Sequence, residues 1–194
     1  MRSRKLQGGL GVQSPSGDTT FLFTDIEGST RLWEQEPERM SVALAQHDAF
    51  ARSAVEAHRG LLVKTTGDGI HAAFDDPLDA VAASLELQHK LADLQATRGL
   101  ALLVRCGLHL GTAERRDNEF FGTPVNRAAR LMAAAHGGQV LLSQAVVGRI
   151  ADRLGDDVTL RDLGVVRLRD LASPEHVFQV VHPQLRTEFP ALLA

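Results

Sequence analysis

The chain has 194 residues, 44% hydrophobic and 23% charged, with 17 Gly, 7 Pro, one Trp and no Tyr. That is one domain's worth of chain at an average globular composition, which excludes collagen, coiled coil and wholesale disorder. Lys and Arg number 21 against 24 Asp and Glu, a net charge of -3, too little basic excess for a protein that works by neutralising nucleic-acid phosphates. No apolar run approaches the ~20 residues of a membrane span, and Cys106, the single cysteine, excludes an internal disulfide. A cytoplasmic location with neither nucleic acid nor membrane as partner is the expectation.

Residues 1–17 are Gly, Ser, Gln and basic residues without periodicity and without the apolar core of a secretory signal, and read as a flexible leader. The folded domain is expected over 18–183, and 184–194 as a tail or the start of a linker. Thr19 to Ile26 is β-prone, with Phe21, Phe23 and Asp25 on one face. The spacing of Met40, Leu44, His47, Ala51 and Val55 predicts a helix over 37–58, stopped by Gly60. LLVKTTGDGIHAAF reads as two strands joined through Gly67-Asp68-Gly69. A second helix is expected from Pro77 to about Asp93, then a long buried strand over 100–110 and a polar loop, GTAERRDNE. Thr123, as the cap, and Pro124, at the first helical position, open a third helix that runs to Gly137-Gly138. QVLLS reads as a strand, Gln144 to about Leu154 as a helix, and 158–163, 165–168 and 177–181 as strands. The order β-α-β-β-α-β with additions predicts an α+β, ferredoxin-like (split βαβ, palm-type) antiparallel sheet with helices on one face.

Asp25 closes an otherwise apolar strand, where a carboxylate is costly without a cation or several donors. Alone it reads as a cap for the GSTR turn, and Asp68 alone as a turn residue. Together, a strand end and a hairpin tip can set two carboxylates side by side, the hard-oxygen environment Mg²⁺ takes with nucleotide phosphates. Gly28-Ser29-Thr30 then opens a short helix whose free N–H groups suit a polyphosphate. Asn126 and Arg130, four apart on the third helix, face one way. An exposed helix arginine is usually just solvated, yet an amide and a guanidinium on one face also suit a ribose and a phosphate. Lys64, four residues before Asp68, sits within a strand, where a lysine most often lies on an open face. The buried Cys106 reads as core packing.

This set of residues resembles the class III nucleotidyl cyclases, the catalytic domains of adenylyl and guanylyl cyclases, over residues ~18 to 182. FTDIEGST (Phe23 to Thr30) is similar to the family's first metal-binding segment and KTTGDG (Lys64 to Gly69) to its second. FFGTPVNRAAR (Phe120 to Arg130) resembles its Asn/Arg helix in the form found among bacterial, especially actinobacterial, members. The resemblance implies an adenylate cyclase with two divalent cations per site, Mg²⁺ or Mn²⁺, held by Asp25, the Ile26 carbonyl and Asp68. It further implies that Asn126 orients the ribose of ATP and Arg130 neutralises charge at the α-phosphate. Both would come from the second subunit of a two-fold homodimer. Arg169 takes roughly the place of a phosphate-contacting basic residue, and regulation is expected from a fused or separate domain.

Lys64 and Glu119 form the implied base-reading pair. An ammonium only donates and a carboxylate only accepts, which matches adenine N1 and N6 and clashes with guanine at both points. Guanylyl members resemble one another in carrying other residue types, such as Glu and Cys, there. Glu119 stands where the family's usual residue is Asp, one methylene shorter, and this softens the selectivity for ATP; Asp117 is a rival in the same loop. Thr123-Pro124 is a second departure, at the helix start. A non-catalytic cyclase-like sensing or dimerising module, and a cyclase of relaxed ATP/GTP selectivity, are the alternatives. Diguanylate cyclase would need a GG[DE]EF-type hairpin where this chain has TGDGI, and the scattered histidines offer no zinc spacing.

Overall fold

The computed structural model describes residues 17–194. The expected leader, Gly17 apart, lies outside the described residues. The elements follow in the order β1 (Thr19–Ile26), α1 (Ser29–Gln35), α2 (Pro37–Ala57), β2 (Leu61–Thr65), β3 (Ile70–Phe74), α3 (Pro77–Ala92), β4 (Val104–Gly111), β5 (Glu114–Arg116) and β6 (Glu119–Phe121). Then come α4 (Thr123–Ala134), β7 (Val140–Ser143), α5 (Gln144–Ile150), β8 (Thr159–Val166) and β9 (Glu175–Val181). Seven strands form one sheet in the order β2-β3-β1-β4-β7-β9-β8, and β5 with β6 makes a separate hairpin.

Period two in β1 divides the molecule. Leu22 and Ile26 point to one face, where α2, α3 and α5 supply Met40, Ala43, Leu87 and Ile150 to the main core. Phe21 and Phe23 point to the other, onto Phe120 of the hairpin and Val125 and Ala128 of α4. The expected α+β sheet with helices is present, and two details differ from the expectation. The sheet is mixed, because β4 and β7 run parallel, and α4 crosses the face opposite the other long helices. Gly107 lets α4 lie that close: a Cβ there would fall 2.1 Å from the Met132 nitrogen.

Other boundaries shift for identifiable reasons. β4 starts at Val104 instead of residue 100, because its partner β1 ends opposite, at Ile26, and the Leu103 carbonyl is taken by the Glu27 N–H at 2.8 Å. The polar loop after β4 contains the β5–β6 hairpin, with Asp117 in the left-handed region (φ 54°) at its turn. Gly122, not Thr123, is the cap of α4, which places Thr123-Pro124 within its first turn, and the helix ends at Ala134, short of Gly137. The helix from Gln144 ends at Ile150 and continues as a 3-10 turn, Ala151–Arg153. The strands expected at 158–163 and 165–168 are one strand, β8, irregular between Asp162 and Val165, where Gly164 takes φ 80°. Residues 184–194 lie against the domain and reach α4 through a Leu193 N–H to Ala134 carbonyl bond of 2.9 Å.

Candidate active site

Asp25 and Asp68 meet at the end of β1. The β2–β3 turn is pressed onto β1 so closely that a Cβ on Gly69 would fall 1.9 Å from the Thr24 carbonyl oxygen. Two bonds hold it there: Ile26 N–H to the Asp68 carbonyl at 2.9 Å, and Ile70 N–H to the Thr24 hydroxyl at 3.0 Å. Burial pushes the Asp25 carboxyl above the usual carboxylate range, Arg105 pulls it down, and the negative charge of Asp68 adds to the rise. The Ser29 hydroxyl donates to Asp68 Oδ2 at 2.5 Å. Its side chain therefore orients a carboxylate, and Gly28 precedes it with φ 68° as the cap of α1.

Arg105 is the residue that the sequence did not single out. It stands directly opposite Asp25 in the β1–β4 ladder and forms an ion pair with it, while its buried Nε has no partner. A strand arginine inside LALLVRCGLHL carries no local signal of this role, since the pairing follows from a register spanning 80 residues of chain.

Among the described residues no group of three or more His, Cys, Asp or Glu side chains gathers as a metal cage. Two carboxylates, one of them made harder to ionise by burial and, less, by its neighbour, are nevertheless a fitting donor set for Mg²⁺ or Mn²⁺, which takes few protein ligands and completes its shell with phosphate oxygens and water. Asp25 and Asp68 are the side chains that would hold such a cation.

Lys64 and Glu119, expected to read the base, meet. Lys64 Nζ lies 3.8 Å from Glu119 Oε1 across the gap between β2 and the hairpin, both side chains about half exposed. Of the two carboxylates weighed for this role, Glu119 is the one that meets Lys64; at Asp117 the recorded contact is its carbonyl, which accepts from Arg115 Nε at 3.1 Å. The hairpin is seated by Phe120, edge-on to Phe21 with ring centroids 5.2 Å apart. Lys64 is in register with His71, and His71 with Phe23, its ring stacked on the phenyl at 4.2 Å. Burial, then the Lys64 charge, lowers the His71 pKa to about 4, so this floor is neutral.

Asn126 and Arg130 stand elsewhere on the same face. Asn126 is exposed, and Arg130 pairs with Asp170 at 2.9 Å. Arg130 and Arg169 line one cavity of about 210 Å³. Among the described residues no hydrogen bond or ion pair joins Asn126 or Arg130 to Asp25 or Asp68. The N-terminal half of α4 is tied down by Arg127, which pairs with the buried Glu175 and donates to the Ser173 hydroxyl at 2.7 Å. Cys106 is fully buried on the opposite face, its thiol pushed up to about 12, and belongs to the packing.

No helix among the described residues is long and apolar enough to cross a membrane. Residues 12–179 match the family model described as "Adenylate and Guanylate cyclase catalytic domain". An uncharacterized protein of Mycobacterium tuberculosis is 41% identical over 180 residues, 92% of this chain and 61% of that protein. An adenylate cyclase of Neurospora crassa is 30% identical over 227 residues, which cover 87% of this chain and 10% of that enzyme. The chain thus spans about three fifths of the length of its mycobacterial relative and a tenth of the fungal one. A solved structure of a Trypanosoma brucei adenylate cyclase in its monomeric state superposes with a TM-score of 0.80 at 28% identity, over 96% of this chain and 99% of that one. The family model spans most of the chain, and this chain belongs to the class III adenylyl and guanylyl cyclase catalytic-domain family.

Proposed function

We propose that this domain is an adenylyl cyclase that converts ATP to 3′,5′-cyclic AMP and pyrophosphate, with each active site shared between two copies of the chain. The observation that carries the choice of ATP is the Lys64–Glu119 pair, a donor and an acceptor held 3.8 Å apart. Lys64 donates to adenine N1 and Glu119 accepts from N6, and guanine would leave both unpaired. Cations at Asp25, Ile26 and Asp68 supply the charge that makes the ribose 3′-hydroxyl acidic and steadies the leaving pyrophosphate.

The chain's own residues do the rest by position. O3′ attacks the α-phosphorus in line as the bond to pyrophosphate breaks and the hydroxyl proton departs. Asn126 of the second copy holds the ribose, and Arg130 of that copy meets the charge growing on the α-phosphate. Arg169 and the N–H groups of Gly28, Ser29 and Thr30 take phosphate oxygens. Arg105 holds the Asp25 carboxylate by its ion pair, a contact for which a bound cation would compete. The separation of Asn126 and Arg130 from the carboxylates supports a shared site, and two copies related by a two-fold axis would hold two such sites. The reading includes a cytoplasmic location and control by a fused or separate domain. The extra methylene of Glu119 and the exposure of the pair favour a secondary reading, ATP selectivity that is incomplete.

The test is product formation from ATP and from GTP, with Mn²⁺ and then Mg²⁺, for the chain and for Asp25→Ala. Cyclic AMP from the first and none from the second is expected. Cyclic GMP in comparable amount would remove the base-reading role of Glu119. No product from a protein shown to be dimeric would favour a sensing module. Specific activity that stays flat on dilution into the monomeric range would rule out the shared site.

A further inference from the structure

Residues 186–194 form neither helix nor strand, yet they are bonded to the domain along their length. The Thr187 carbonyl accepts from Arg161 at 2.9 Å and from the buried Gln179 side chain at 2.8 Å. Arg186 lies over the Phe189 ring at 4.5 Å, and His136, just past α4, lies parallel to the same ring with centroids 6.4 Å apart. His136 Nε2 donates to the Ala191 carbonyl at 2.8 Å. The last carbonyls of a helix lack partners within it, and Leu193 N–H takes that of Ala134 at 2.9 Å.

Ala134 is one turn beyond Arg130 on the same side of α4. Leu192 packs into the small cluster that contains Leu131, Ala134 and Leu168, the neighbours in sequence of Arg130 and Arg169. Leu193 forms a wall of the 210 Å³ cavity that both arginines line. The same helix end is tied to the carboxylate side of the site, since Gly137 N–H donates to Glu27 Oε1 at 3.1 Å, two residues after Asp25. We propose that residues 186–194 are a strap that fixes the C-terminal end of α4 and so sets the position of Arg130 beside Arg169. The strap is then a positioning element for the phosphate chemistry, an inference that rests on the cyclase reading. Anything that lifts it would slow turnover without touching the residues that bind metal or base.

A double-mutant cycle on the full chain tests this. Leu193→Pro removes the N–H that holds the Ala134 carbonyl and keeps an apolar side chain; Phe189→Ala removes the ring that Arg186 and His136 both approach. Each is made alone and in an Arg130→Ala background, with the melting temperature followed in parallel. The expected result is a kcat roughly tenfold lower with KM for ATP within about twofold, and no further loss once Arg130 is absent. Phe189→Trp, which keeps an aromatic ring over His136, is expected to restore kcat. Equal losses in both backgrounds, no loss in either, or a rise in KM at constant kcat would overturn the strap's role while leaving the cyclase reading intact. A wild-type chain that makes no product from ATP or GTP would overturn the reading itself, and the strap's catalytic meaning with it.

Discussion

The two faces of the sheet are built from the same strands and do different work. On the α2/α3/α5 face, Leu22, Ile26, Val104, Leu108 and Leu142 are buried among helix side chains in one continuous apolar cluster. On the α4 face the apolar contacts break into two small groups, around Phe21 and around Leu131. Between and beside them lie His71, His109, Arg105, Arg127 and Glu175, all wholly or largely removed from water. The first face holds the fold and the second spends part of that stability on buried polar groups that position a site. Alternation along β1 makes this possible, since Leu22 and Phe23, one residue apart, serve opposite purposes.

Substitutions that touch one face and spare the other sharpen the contrast. Gly107→Ala is expected to do most, because the methyl has nowhere to go but into the backbone of α4. It should cost about 1–3 kcal/mol of stability, and displacing Asn126 and Arg130 should lower kcat on the order of a hundredfold. A Gly107→Ala enzyme with normal turnover would show that α4 does not need its close seat. Leu22→Ala, on the other face, should cost about 3–4 kcal/mol of unfolding free energy, with kcat and KM of the remaining folded protein unchanged; denaturant melts beside kinetics check both halves.

Two buried histidines give the α4 face a pH signature. His71 and His109 are both held to about 4, by burial first and then by Lys64 and Arg127 respectively. A free histidine titrates near 6.5, so between that pH and 4 the unfolded chain binds protons that the folded chain refuses. Stability therefore falls as pH drops through this window and is insensitive to these groups above it. His71→Leu should recover about 2.5 kcal/mol of the loss at pH 4.5 relative to pH 7; urea midpoints at the two pH values measure it, and an unaltered slope would break the assignment. The smallest effect is Asp76→Ala, about 1 kcal/mol, because Asp76 caps α3 through the Leu78 N–H at 2.9 Å and pairs with Arg153. Its melting shift should leave activity untouched.

Wherever one local pattern decided an element, the sequence was readable. The apolar stripe of α2, the Gly67-Asp68-Gly69 turn and the Asp25 end of β1 all stand where their spacing put them. Harder to read were features that exist only through distant pairing. The β5–β6 hairpin begins within GTAERRDNE and is hidden because its strands are three residues each and the first is wholly charged; Phe120 of the second strand seats it on Phe21. β4 looks as if it begins four residues before it does, since Leu100 and Leu102 are apolar for the core and not for a ladder. Within the site, Lys64 with Glu119 and Asp25 with Asp68 were accessible through their motifs. Arg105 was not, because nothing in the local sequence says what stands across a ladder. The strap was invisible for the same reason, a run of chain whose partners all lie elsewhere.

The pairing of Asp25 with Arg105 has a consequence for how the chain folds. Their meeting is set by the register of β1 on β4, in which each of eight residues has its opposite number. A slip of one residue would turn Asp25 and Arg105 to opposite sides of the sheet, forcing one charge into the Leu22 core without its counter-ion. Misaligned pairings of β1 on β4 are thus heavily penalised by two charged residues of the candidate site. The carboxylate acts as a proofreader of strand alignment, and a chain that has paired β1 with β4 in register has, by that fact, Asp25 held at the strand end.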